Sequence, residues 1–151
     1  MISEFEFYHG AAITRLLHGN GKKLSISTFD SPSNASYVIN DKAGIFIKHS
    51  KKRMSPWRFS FKTEHQDEIK ALSSRFGEVF LLLVCHSDGI VALNFQELKN
   101  LLNEFHENYE WISLERNRRQ EYGVKGSDGK LQWKVAKNEF PNKIFSYLEE
   151  G

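Results

Sequence analysis

The residues best suited to chemistry lie together between positions 42 and 63. Lys48-His49-Ser50-Lys51-Lys52-Arg53 is followed closely by Ser55-Pro56-Trp57-Arg58. Lysine and arginine supply charge for a phosphate, serine hydroxyls supply hydrogen bonds, and an indole stacks on a base. Lys48, Lys51, Lys52, Arg53, Trp57 and Arg58 are therefore the expected contacts to a nucleic acid, DNA or RNA. With Lys42 and Lys62 the stretch holds seven basic residues and no acid. The chain as a whole has 21 basic and 19 acidic residues, so the other positions hold 14 against 19. A net charge of +2 thus conceals a strong local excess. The plain alternative is a solvated loop whose lysines neutralise acids such as Asp67, Glu68 and Glu78. Trp57, after Pro56, equally suits a core position that anchors a strand.

Other chemistries lack their residues. Gly19-Asn20-Gly21-Lys22-Lys23 imitates a phosphate loop, but Leu16 stands where the earlier glycine is needed, and the segment follows a helix. The six histidines (9, 18, 49, 65, 86, 106) never fall three to five residues apart, and Cys85 has no second cysteine to join it on zinc. A carboxylate-held Mg²⁺ needs no such spacing and stays open. There is no Gly-x-Ser-x-Gly elbow. Cys85 lies in an apolar run and reads as a buried, inert thiol. His49 and His65, both near the basic stretch, have the ordinary pKa of a general base.

Whole classes drop out as well. The longest apolar run, 79–85, is seven residues, far short of a membrane span. Acids at Glu4 and Glu6 do not suit a secretory leader, and a single cysteine suits a reducing, cytoplasmic setting.

These groups need elements to hold them. Apolar spacing of three and four predicts helices over 5–18, from Thr63 to Gly77, over 95–105 and over 141–148. Alternation predicts strands over 24–28, 36–40, 44–49 and 58–62, with Phe59 and Phe61 on one face. Asn40-Asp41-Lys42-Ala43 suits a hairpin turn. The 78–85 run reads as a central strand buried on both faces. Strands over 90–93, 109–114, 122–125 and 131–135 follow. The expectation is one α+β domain over 1–151, a central mixed, mostly antiparallel sheet flanked by helices. Its core should contain Leu16, Leu17, Ile45, Ile47, Phe59, Phe61, Ile69, Leu72, Phe80, Leu82, Val84, Leu98, Leu102 and Ile112.

The order helix, strands, helix, strand over about 5–94, with Lys48 on the third strand, resembles the core of the restriction-endonuclease-like superfamily; residues 95–151 would complete the domain. The resemblance implies a Mg²⁺-dependent phosphodiesterase in which Lys48 polarises the phosphate and acids hold the metal. The acid expected two residues before the lysine is replaced by Phe46. A migrated acid at Glu64, with Asp41 or Asp30, and Glu6 as a third, would then supply the ligands. Across the hairpin Lys48 should face Ser36 and Asn34, which are not acids. The resemblance therefore implies phosphate binding by this stretch, with or without cleavage. The alternative from another class is a protein-interaction or assembly module, a homodimer for instance, with Trp111, Trp133 and Tyr122 as an exposed aromatic surface.

Overall fold

A computed structural model describes residues 1–19, 21–103 and 110–150. The expected end of the third helix at Phe105, the start of the next strand at Tyr109, His106 and Asn20 lie outside the described residues. Along the chain run α1 (Glu4–His18), β1 (Ile26–Thr28), β2 (Ser36–Ile39), β3 (Ala43–Ser50), β4 (Trp57–Phe61), α2 (Thr63–Phe76) and β5 (Val79–Cys85). Then come β6 (Gly89–Asn94), α3 (Phe95–Leu101), β7 (Glu110–Glu115), β8 (Gly123–Gly126), β9 (Gly129–Lys130) and α4 (Glu139–Glu150).

The architecture is α+β with two sheets, where a single central sheet was expected. The larger has the order β1-β2-β3-β5-β6 and the smaller β4-β7-β8-β9. β3 and β5 run parallel; every other pairing between these strands is antiparallel. β5 is buried along its whole length, as its unbroken apolar run requires between β3 and β6. Its alternate residues feed two cores. Phe80, Leu82 and Val84 pack with Leu16 of α1 and Ile144 of α4; Leu81 and Leu83 pack with Leu72 of α2, Leu98 of α3 and the inner face of the smaller sheet. Every expected core residue is buried except Leu17, which is 44% exposed on the outer side of α1.

The unexpected partition concerns β4. It leaves the larger sheet and pairs with β7 from the C-terminal part, so the 5–94 and 95–151 segments interlock. Trp57, Phe59 and Phe61 all point into the core, with Arg58 and Ser60 outward. Period-2 alternation fixes the faces of a strand but not the sheet it joins.

Two glycines matter for positioning. A side-chain carbon on Gly44 would come within 2.8 Å of Leu72, so glycine here lets α2 lie close against β3. Gly77, at φ 79°, caps α2 in the left-handed conformation.

The two sheets are also clasped by a charge cluster. Asp88, in the β5–β6 turn, accepts from Arg116 Nε at 2.8 Å and Nη2 at 2.6 Å, and from the Tyr122 hydroxyl at 2.5 Å. Lys137 Nζ lies 4.0 Å away. These four residues come from both sides of the sheet boundary, and the hydrogen bonds hold the Asp88 carboxyl below its ordinary range. Among the described residues no helix is long and apolar enough to cross a membrane.

Candidate functional site: a lysine–histidine pocket at the end of the third strand

β2 begins at Ser36, opposite Phe46, and the last bond between the two strands runs from the Ile47 N–H to the Ala35 carbonyl. β3 continues to Ser50 with β5 alone beside it, Ser50 facing Cys85. Lys48 and His49, at the start of this overhang, line an open pocket of about 210 Å³. Its walls include Ser33 and Asn34 from the loop before β2, Phe5 and His9 from α1, Lys48 and His49 from β3, and His65 from α2. Asn34 is thus beside Lys48, as the hairpin register anticipates.

Lys48 is the centre of this arrangement. Its ammonium donates to His65 Nδ1 at 3.4 Å and lies 5.0 Å above the Phe61 ring. Among the described residues it forms no salt bridge with a carboxylate. Burial, and then the charge of Lys62, lower its pKa to about 8.

His65 is placed by a helix start. It is the third residue of α2, and its Nδ1 accepts the Lys62 backbone N–H at 3.1 Å. Thr63 is the first helical residue, and Lys62 holds the capping position before it. With Nδ1 accepting from both Lys62 and Lys48, the neutral ring carries its proton on Nε2. Burial and the charges of Lys48 and Lys62 lower the His65 pKa.

On the opposite side of β3, His49 stacks on Tyr8 with centroids 4.5 Å apart and is 3.9 Å from Glu4. Burial lowers its pKa despite Glu4. His9 shares a 2.9 Å hydrogen bond with the Tyr37 hydroxyl, and burial takes its pKa down to about 4. All these shifts favour neutral rings and a less charged lysine. Among the described residues the Lys48 ammonium has no carboxylate bonded to it, whereas Glu4 lies beside His49.

The metal set expected from sequence is not brought together. Asp41 and Asn40 both have φ 53°, fixed in the turn between β2 and β3. Asp41 therefore lies beyond the start of β3, whereas Lys48 is five residues, about 16 Å, along the strand from Ala43. Asp30 follows β1, which β2 separates from β3, and is exposed. Glu64 is exposed on the first turn of α2, and Glu6 bonds back to Ser3 at the start of α1. Among the described residues no three His, Cys, Asp or Glu side chains are grouped to hold a metal. Phe46, at the position an acid would occupy, is buried in the core. The residues present do not fit Mg²⁺ beside Lys48.

The binding set divides. Lys51, Lys52 and Arg53 are exposed on the loop after β3, with Lys51 3.3 Å from Glu4. Arg58 is exposed, its guanidinium 4.5 Å from the Trp111 ring centroid. Trp57 cannot stack on a base: it is 2% exposed and packs against Tyr122. Tyr122 is wholly buried too and drops out of the expected aromatic surface, whereas Trp133 is exposed and Trp111 half-buried. Cys85 is buried, which pushes its thiol pKa up, and is inert.

Sequence reasoning missed Glu68. It lies on α2 one turn beyond His65, buried, and accepts the hydroxyls of Ser36 and of Ser33, the latter at 2.5 Å. It ties the Ser33–Asn34 wall to α2 and so shapes the pocket rim. The i, i+3 spacing from His65 was the available signal. Neither a family model, nor a curated protein, nor a solved structure matches this chain.

Proposed function

We propose that this chain binds the phosphate backbone of a nucleic acid at the Lys48 pocket, on a nuclease-like fold, and holds the strand without cutting it. One observation carries the reading. Lys48 is half-buried and faces an open pocket, with no carboxylate bonded to it among the described residues, beside His65 and near Lys62. A charge so placed is costly unless something anionic completes it. The exposed Lys51, Lys52 and Arg53 beside the pocket would steer a polyanion toward it. The element order α1, β1 to β4, α2, β5 supports the nuclease-like part of the proposal. Phe46 and the scattered acids favour holding over hydrolysis.

The test is calorimetric titration with a thymidine dinucleotide, whose phosphodiester keeps one negative charge at every pH used. Lys48→Met is expected to weaken binding at least tenfold. A bound anion favours the protonated forms of Lys48, His65 and His49, so binding takes up protons. Affinity should therefore be higher at pH 6 than at pH 8. Equal affinity for the parent chain and Lys48→Met would overturn the proposal.

A further inference from the structure

The outer face of the smaller sheet carries a second pattern that local sequence spacing does not reveal. Register aligns Arg58 of β4 with Ser113 of β7, Ser113 with Lys125 of β8, and Lys125 with Lys130 of β9. Three cations, with the buried Ser113 between Arg58 and Lys125, thus form one row across all four strands, spanning roughly 14 Å at about 4.8 Å per strand. The adjacent row pairs Ser60 with Trp111. Both rows face away from the core, because Phe59, Ile112, Leu114 and Val124, the residues alternating with them, are buried within it. Arg58, Lys125 and Lys130 are exposed, and among the described residues none of them forms a salt bridge. Glu115, at the end of β7, is the acid on this face. Trp111 is half-buried, and the Arg58 guanidinium lies over its ring, 4.5 Å from the centroid, so that a planar cation backed by the indole faces outward.

One residue joins this face to the pocket. Lys62 directly follows β4, and its backbone N–H donates to His65 Nδ1 at 3.1 Å. A polyanion bound at Lys48 would meet Lys62 next and then the Arg58 row.

We infer that the outer face of the smaller sheet binds single-stranded nucleic acid, an unpaired base stacking on Trp111 and Arg58 while Lys125 and Lys130 take the following phosphates. The inference rests on the phosphate reading of the Lys48 pocket and extends it. The single strand follows from chemistry: a flat aromatic platform gains its energy from a base whose face is free, and duplex bases are already stacked. Charge complementarity alone would suit any polyanion; the indole in the next row selects for bases.

The experiment is fluorescence anisotropy with a labelled oligothymidine 15-mer, a duplex of equal length, and polyglutamate as competitor. The 15-mer should bind more tightly than the duplex. Trp111→Ala should weaken it about tenfold, leave the duplex unchanged, and be largely rescued by Trp111→Phe. Lys125→Glu with Lys130→Glu should weaken it more than tenfold and flatten the log–log salt slope by about 1.4, two contacts at about 0.7 each. Those two lysines are exposed, so this variant keeps the test alive if Trp111→Ala does not fold. Dinucleotide binding at Lys48 should be unaffected by either change. If the 15-mer binds all face variants like the parent while Lys48→Met loses it, the face is overturned and the pocket stands. If face variants lose the 15-mer while Lys48→Met binds dinucleotide and 15-mer normally, the pocket reading falls and the face stands. Polyglutamate displacing the 15-mer as well as unlabelled oligothymidine, with no effect of Trp111→Ala, would make the face a general anion surface and overturn the inference.

Discussion

Asp88 and Lys48 are both charged groups drawn away from water, and they are treated in opposite ways. Asp88 is 18% exposed and receives two bonds from Arg116 and one from Tyr122, with Lys137 close by. Its charged form is favoured. Lys48 has an imidazole nitrogen, an aromatic ring and another cation for neighbours, and its charged form is disfavoured. The first arrangement is complete and serves the fold by joining two sheets. The second is incomplete, and in a folded chain an unbalanced charge facing an open pocket points to a ligand. The difference teaches that burial of charge alone does not mark a functional site; burial without a partner does.

The sharpest way to break this comparison is to unbalance the complete cluster. Arg116→Ala leaves Asp88 without its bidentate partner and should cost about 3 kcal/mol, read as a fall in Tm of roughly 6–12 °C. The Asp88 pKa is lowered in the folded chain, so the stability it contributes is present above its unfolded value near 4 and lost as the pH falls through the folded value. The gap between parent and variant should therefore narrow in acid. A gap that is small at neutral pH would make the cluster as incomplete as the pocket.

Lys48→Met should move stability the other way, by about 1 kcal/mol upward at pH 7. Folded Lys48 titrates near 8, against 10.5 as its ordinary value. Between those values the unfolded chain holds a proton that the folded chain has released, so stability rises with pH there. Denaturant unfolding from pH 7 to 10.5 should show this rise in the parent and lose it in the variant. A destabilised Lys48→Met would mean that Lys48 is structurally paired after all.

The smallest effect belongs to Lys51→Ala. Lys51 and Glu4 are 68% and 58% exposed, so their ion pair should contribute no more than about 0.5 kcal/mol in the same measurement. A larger loss would place the loop cations with the clasp at Asp88 and not with the pocket.

Much of the fold was legible because it is locally encoded. The apolar run at β5, the left-handed cap at Gly77 and the turn at Asn40-Asp41 each follow from a few adjacent residues. The partner of β4 was not legible. Its alternation is the same whether it continues the first sheet or founds a second, and its true partner β7 lies some fifty residues on. The same limit hid Arg116 from Asp88, 28 residues apart, and Lys125 from Arg58. In the candidate site, Lys48 and Asn34 were placed together by simple hairpin register. Asp41 was misjudged because nearness in sequence to a strand says nothing about which end of it a turn occupies. His65 was recognised by residue type, but its role at the start of α2 required the backbone N–H of Lys62.

Trp57 has a consequence beyond its place in the core. Its indole N–H donates to the Lys52 carbonyl at 2.8 Å, and the Lys52 N–H donates to Ser50 Oγ at 3.3 Å. A buried side chain thus grips the backbone of the basic loop from below. The side chains of Lys51, Lys52 and Arg53 are exposed, Lys51 paired with Glu4, while the main chain that carries them is tethered. Under the proposed function, binding would forfeit less conformational entropy, because the loop would not need to be ordered when a strand arrives. The tryptophan that does not touch the ligand would still contribute to affinity, through the disorder it has already removed.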